Sequence, residues 1–489
     1  MKILQTLSGL SILASSVLAH EGQHHQHHHH HHRHDAPDHN NLAHAEICGS
    51  GGSIIAGSDT LCGHGVAGDA VEGQKVILSE PKVEKSPPQI LTNHTNNHDG
   101  DPKHHIWTHT TPCFNSTKSE VEICVFTDEK FANGRGASFV LTHSRAAHIA
   151  KYPAFVDPDL VKEINQDLHQ TRPPKYDMKE IPGKGMGLIA KEHIRRGDLI
   201  MANTVSLMID YRAFEELPKE HYTQLQAAAV EYLPQAHREV ILALSTHDGT
   251  DRTHIERIDK IAATNAFDID ADDEDEIQDH GFYVVFPEIA RMNHDCRPNS
   301  DYYFDHDTLT QYIHAVRDIS PGEELTLSYI NPVMKRKARV RKLQRIWGFE
   351  CACPLCTQEK PRVGASDLRI RQIKELANEF QEWEPQSRAN PSMAELMVSL
   401  YEQERLWGSM YEAYVYAALE YNAIGEPWMA IKYARLAVDW GIPVVGPKDS
   451  DVIEMAKMAE DPWGHWSWLK RNKVRGGWGK RQKESADDE

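Results

Sequence analysis

Apolar and polar positions divide the chain into stretches of different rhythm. Lys2 leads the apolar run Ile3–Ala19, which closes on the small residues Ser15, Ser16 and Ala19. That order predicts a secretory signal peptide over 1–19, with an ordinary N-terminal helix as the competing reading. From about residue 171 short β-like runs appear, Gly187–Ala190, Asp198–Met201 and Gly281–Phe286, broken by Gly and Pro. Between them Tyr222–Leu244 carries apolar residues at helical spacing, which predicts one helix. From Ala365 to about Trp468 almost every segment reads as helix. Met410–Asn422 and Trp428–Trp440 predict a helix pair joined by Ile424-Gly425-Glu426-Pro427, with proline opening the second helix. The spacing of Tyr414, Ala418, Ala430, Tyr433, Ala434 and Ala437 is similar to a tetratricopeptide pair, although any α-helical hairpin would look much the same.

Length and charge narrow the classes. At 489 residues the chain exceeds what one hydrophobic core serves, so two or three domains are expected. Past the N-terminus no apolar run approaches the roughly 20 residues that cross a bilayer, so no membrane-spanning function is expected. Against 72 acidic side chains stand 53 basic ones, a net charge of −19 that disfavours nucleic acid and suits a basic partner. The acidic segment Asp268–Asp279 reads as a solvated loop, with a docking surface for a Lys/Arg-rich substrate as the alternative. The basic run Lys335–Arg345 reads as a helix with its charges in water.

Residues 20–150 form a His-rich and Cys-containing N-terminal region. The contiguous His27–His32 could bind metals loosely, but a solvated tail explains it equally. Cys48, Cys62, Cys113 and Cys124 share this region with glycosylation sequons at Asn93 and Asn115. Behind a signal peptide, the set reads as a small extracellular region closed by two disulfides, with three pairings open.

The strongest chemical signal is Cys351-Ala-Cys353-Pro-Leu-Cys356. Three thiols this close pair poorly with one another but can be aimed at one metal. Tetrahedral zinc needs a fourth ligand, and Cys296 is the one cysteine left for it. Cys296 lies in the polar loop Asn293-His294-Asp295-Cys296-Arg297-Pro298-Asn299. A turn and strand follow, Glu323-Glu324-Leu-Thr-Leu-Ser328-Tyr329. Upstream, Gly183-Lys184-Gly185-Met186-Gly187 opens a strand, with glycines that let backbone approach a ligand.

Together and in this order, these motifs resemble the SET-domain protein lysine methyltransferases. Within them the chain looks most like the SMYD branch without its MYND finger. The resemblance implies an α+β protein. A β-rich SET domain would span 171–345 with a helical insertion at about 206–280. A post-SET zinc knot would follow at 346–360, then an α-helical (TPR-like) C-terminal domain at 361–470 and a charged tail at 471–489. It implies S-adenosylmethionine as cofactor, held by Lys184, Gly185, Met186, Gly187, Asn293 and His294, with Phe349 over the adenine. Asn265 would face the cofactor from the Asn-x-Phe element Asn265-Ala266-Phe267. Tyr329 would be the catalytic tyrosine, also touching cofactor, at the mouth of a lysine channel. Cys296, Cys351, Cys353 and Cys356 would hold a structural zinc. Where the branch often has a second channel tyrosine, Trp347 stands here.

The implied activity is methylation of a lysine ε-amine in a protein, the alternative being an inactive protein-binding SET fold. The partner expected is a protein with an accessible lysine, basic in character. The signal places the chain in the secretory pathway, whereas the resemblance favours nucleus or cytoplasm.

Overall fold

The computed structural model describes residues 106–165, 173–246, 253–271, 281–383 and 387–471. The signal peptide, the His-rich tract, Cys48, Cys62 and the Asn93 sequon lie outside these residues, as do 272–279 of the acidic segment and the tail from 472.

In chain order the main elements begin with β1 (Cys113–Asn115), β2 (Glu122–Asp128), β3 (Ala137–Thr142) and α1 (His143–Ile149). Next come β4 (Tyr176–Ile181), β5 (Gly185–Ala190), β6 (Leu199–Thr204), β7 (Leu207–Asp210), α2 (Lys219–Glu231) and α3 (His254–Asn265). They are followed by β8 (Ala266–Ile269), β9 (Phe282–Val285), β10 (Asn293–His294), β11 (Ser300–Asp305), β12 (Thr310–Ala315) and β13 (Glu324–Leu327). Helices complete the chain: α4 (Arg336–Trp347), α5 (Lys360–Gln381), α6 (Pro391–Glu404), α7 (Met410–Ala423), α8 (Pro427–Val445) and α9 (Ser450–Glu460).

The strands form three sheets, ordered β1-β2-β3-β7-β9-β8, β10-β13-β5-β4 and β11-β12-β6. The first sheet corrects the expected organisation. Residues 113–142 are not a small body apart from the SET-like part, because β3 pairs in parallel with β7. All six residues of β3 are buried, and a strand covered on both faces needs neighbours on either side. Two ion pairs hold the same junction. Arg145 on α1 meets Asp210 at 3.0 Å, and Arg135 grips Glu288 at 3.0 and 2.7 Å. The stretch 206–280 likewise supplies strands β7 and β8 as well as helices.

The single helix expected over Tyr222–Leu244 is two. Pro234 has no N–H to donate, so α2 ends at Glu231 and a second helix runs Gln235–Leu242. Helix α3, not among the expected elements, starts on a capping box formed by Thr253 and Glu256.

Helices α5–α9 gather a second core. The predicted pair appears as α7 and α8, which pack closely because Ala413, Ala417, Ala430 and Ala434 are small and fully buried at their contact. This helical region docks on the sheets through Glu404 at the end of α6. Its carboxylate accepts from Arg297 at 2.7 Å, from Arg369 at 2.7 Å and from Ser366 at 2.7 Å. Among the described residues no helix is long and apolar enough to cross a membrane.

Candidate active site

The site is built where β10 and β13 run side by side in parallel, with Asn293 beside Thr326 and His294 beside Leu327. Asn299 latches the intervening loop onto β13. Its Oδ1 accepts from Thr326 N at 2.9 Å while its Nδ2 donates to the Glu324 carbonyl at 2.9 Å. The polar motif and the strand after it, far apart in sequence, are thus one unit.

On one side of this unit lies the glycine turn. Asn293 Nδ2 donates to the Met186 carbonyl at 3.3 Å and to Glu324 Oε1 at 2.9 Å. Lys184 Nζ donates to the other carboxylate oxygen of Glu324 at 2.6 Å. Glu324, not singled out as a site residue from the sequence, therefore ties two of the expected cofactor residues, Lys184 and Asn293, together. Gly187 must be glycine, since a Cβ there would sit 2.7 Å from Ile181 Cγ1 and 2.8 Å from Asn293 Nδ2. Gly183 and Gly185 have φ of +76° and +75°, and no atom lies within 4 Å of where their Cβ would be. The result is a bared backbone shelf, open enough for a ligand to lie against.

On the other side stands a cluster of rings. Tyr329 N donates to His294 Nδ1 at 3.0 Å, and the Tyr329 hydroxyl donates to the Met292 carbonyl at 2.8 Å. Ring centroids are 5.3 Å apart for His294 and Tyr329, 6.2 Å for His294 and Phe349, and 5.4 Å for Tyr329 and Trp347. Burial pushes the Tyr329 phenol up, and the Glu324 carboxylate pushes it further, so it stays protonated. Trp347 is buried, and its indole N–H has no hydrogen-bond partner among the described residues.

Beneath these rings lie the sulfurs. Cys296 Sγ is 3.5 Å from Cys356 Sγ and 3.9 Å from Cys351 Sγ, and all four sulfurs lie within 4.8 Å of one another, buried. With Zn–S bonds of about 2.3 Å, tetrahedral neighbours sit about 3.7 Å apart, so the donor set fits zinc. His294 Nε2 approaches Cys296 Sγ at 3.4 Å. With Nδ1 accepting from Tyr329, the assigned tautomer carries its proton on Nε2, directed at the sulfur.

Two expectations need correction. The basic run is not wholly solvated, because Arg339 is buried, and against that burial the neighbouring Cys296 and Cys356 thiols hold its guanidinium pKa up. Four thiolates around one divalent ion leave a net negative charge, which a buried guanidinium balances. Helical spacing with Leu343 and Ile346, which share its buried face, was the available signal. Asn265 is engaged elsewhere, since its Nδ2 donates to the carbonyls of Ser245 at 2.9 Å and Ile261 at 2.8 Å. Among the described residues no hydrogen bond joins it to the cluster. Phe267, two residues on, packs edge-on against Tyr302 at 5.4 Å and Phe286 at 5.9 Å.

Residues 185–330 match the family model described as the SET domain. The chain carries a SET domain. The fission yeast (Schizosaccharomyces pombe) protein named histone-lysine N-methyltransferase set5 is 31% identical over 199 residues, covering 40% of this chain and 56% of that protein. Human SMYD3, also named a histone-lysine N-methyltransferase, is 40% identical over 77 residues, covering 16% and 18%. The chain thus spans little more than half the length of the first of these relatives and less of the other. Among solved structures, the SET domain of LSMT bound to lysine and AdoHcy aligns with 64% of this chain and 88% of that one, at 12% identity and a TM-score of 0.25.

Outside the SET match, Cys113 and Cys124 are disulfide-bonded, and Asn115 is exposed at the end of β1.

Proposed function

We propose that this chain transfers a methyl group from S-adenosylmethionine to the ε-amine of a lysine in a protein. The observation that carries the reading is the pairing of Tyr329 with His294 directly above a four-sulfur knot, inside a SET domain whose relatives are named lysine methyltransferases.

The residues present suit the cofactor. The shelf Lys184–Gly187 would hold its amino-acid end, and the Lys184–Glu324–Asn293 triad keeps that shelf in place. Phe349, packed on His294, would cover the adenine. The His294 side chain is spent inside the protein, so its contribution to binding would come from its backbone. When bound, the cofactor supplies an activated methyl on a sulfonium. The protein must then align a neutral amine with that methyl and exclude water.

Tyr329 orients rather than ionises. Its proton is committed to Met292 O, so the phenol oxygen offers lone pairs to an amine N–H. A lysine with a free pKa near 10.4 is neutralised by desolvation between apolar walls, among them Trp347. The indole can donate but cannot accept, which would limit how successive methylated amines are held. Zinc on Cys296, Cys351, Cys353 and Cys356 would fasten the segment bearing Phe349 to the loop bearing His294, and its role is structural.

The acidic total charge supports a basic protein substrate, and the names of the relatives make histones the first to test. The same names support nucleus or cytoplasm over secretion. The test is transfer of labelled methyl from S-adenosylmethionine to histones and to free basic proteins. Wild type is expected to label lysine, and Tyr329→Phe to lose roughly 10²-fold in rate with cofactor affinity retained. Cofactor binding without any transfer by wild type would favour the inactive binding module. Failure to bind the cofactor at all would sink the enzyme reading.

A further inference from the structure

A second cluster of metal-type donors lies at the outer edge of the six-stranded sheet, and methyl transfer makes no use of it. Cys113 on β1 and Cys124 on β2 are cross-strand partners and are disulfide-bonded. Glu122 lies two residues before Cys124 and so shares its face of the sheet. Thr142 pairs with Ile123, which brings the next residue, His143, over the same spot. Its Nε2 is 3.3 Å from Cys124 Sγ and 3.0 Å from Glu122 Oε2. Two Sγ atoms, one imidazole nitrogen and one carboxylate oxygen all lie within 4.8 Å of one another.

Strand register alone thus gathers two thiols, an imidazole and a carboxylate. Zinc takes such a set at bond lengths of about 2.0–2.3 Å, which puts neighbouring donors about 3.3–3.8 Å apart. The imidazole–sulfur and imidazole–carboxylate separations are already near that range. The two sulfurs, now bonded to each other, would have to part. His143 is exposed, so an ion can enter from solvent.

We propose that Cys113, Cys124, Glu122 and His143 form a zinc site that exists in the dithiol state alone, exclusive of the disulfide. A dithiol reductant delivers two electrons and two protons to the S–S bond and is itself oxidised to a disulfide. Zinc then displaces both thiol protons, while the imidazole binds through its neutral nitrogen. Re-oxidation by a disulfide oxidant, which takes the two electrons and leaves as two thiols, joins the sulfurs and expels the ion. Strand β1, which forms the sheet edge, is clasped either way, by a covalent bond where thiols are oxidised and by a metal where they are kept reduced.

Cobalt(II) reports thiolate ligation through its sulfur-to-metal charge-transfer absorbance, which the His-rich tract cannot produce. The full chain, reduced with a dithiol, is titrated with cobalt beside the double variant Cys113→Ser/Cys124→Ser. Cys48, Cys62 and the post-SET thiols are common to both. Reduced wild type should show extra charge-transfer absorbance that the double variant lacks and that oxidised glutathione abolishes. His143→Ala and Glu122→Gln, both near the surface, should weaken that extra site at least about tenfold. Equal absorbance in reduced wild type and the double variant would overturn the site. Undiminished cobalt affinity in His143→Ala would overturn the four-ligand assignment.

Discussion

The main-chain amide of Tyr329 donates a 3.0 Å hydrogen bond to Nδ1 of His294, whose far nitrogen reaches to 3.4 Å from Cys296 Sγ. One imidazole therefore connects the tyrosine of the site to the sulfur knot. Burial lowers its pKa to about 3, so it is neutral and can accept on one side and donate on the other. Replacing it by alanine strands a buried N–H and removes a donor to the thiolate. His294→Ala should cost about 1–3 kcal/mol of stability and speed zinc release to a chelator about 10–100-fold. Unchanged zinc release would show that the ring does not support the metal site.

Gly187 is pressed between Ile181 and Asn293. A methyl group there must displace the Asn293 amide from Glu324 and so disturb the shelf. Gly187→Ala should destabilise the fold by about 1–3 kcal/mol and weaken S-adenosylmethionine binding measured by calorimetry. Combining it with Asn293→Ala frees space, so the two stability losses should sum to more than the double variant shows. Strict additivity would place the strain elsewhere.

Asp210 and Arg145 are both almost wholly buried, and the Arg145 guanidinium also lies 4.4 Å from the centre of the Phe282 ring. Burial raises the Asp210 pKa despite the opposing Arg145 charge, and removing either partner leaves the other buried without its counter-charge. Asp210→Ala removes the carboxylate and the cap it provides to Arg212 N, and should cost about 3–5 kcal/mol in denaturant unfolding. A loss under about 1 kcal/mol, the scale of an exposed pair, would contradict an integral N-terminal segment.

Burial pushes Asp451, in the first turn of α9, up to about 7, with the carboxylates of Asp449 and Glu454 adding to the shift. An unfolded aspartate has a pKa near 3.9. Between about pH 4 and 7 the folded state thus holds a proton the unfolded state has released, and stability falls as pH rises through that window. Asp451→Asn removes the titration. Its stability relative to wild type should therefore increase from pH 5 to pH 7, by up to about 1.4 kcal/mol per unit. A flat difference between variant and wild type across that range would refute the assignment.

Much of the site was legible because its signals are short. Three cysteines within six residues, a glycine turn and a tyrosine closing a strand each require only local chain geometry. The helix pair after residue 410 was legible for the same reason, with Pro427 marking a start that needs no partner. Pro234 was equally local, and reading it would have divided the helix expected over Tyr222–Leu244.

Amino-acid order by itself determined which side chains could supply sulfur, rings and bare backbone, and that one distant cysteine remained to complete a metal set. Tertiary structure alone decided that β3 lies beside β7, that Arg339 turns from solvent to the sulfurs, that the Asn265 amide caps backbone, and that His294 serves Tyr329 and Cys296 at once. Those outcomes depend on contacts between residues remote along the chain. Burial and strand register set such contacts, and neither can be read from the neighbours of a residue in sequence.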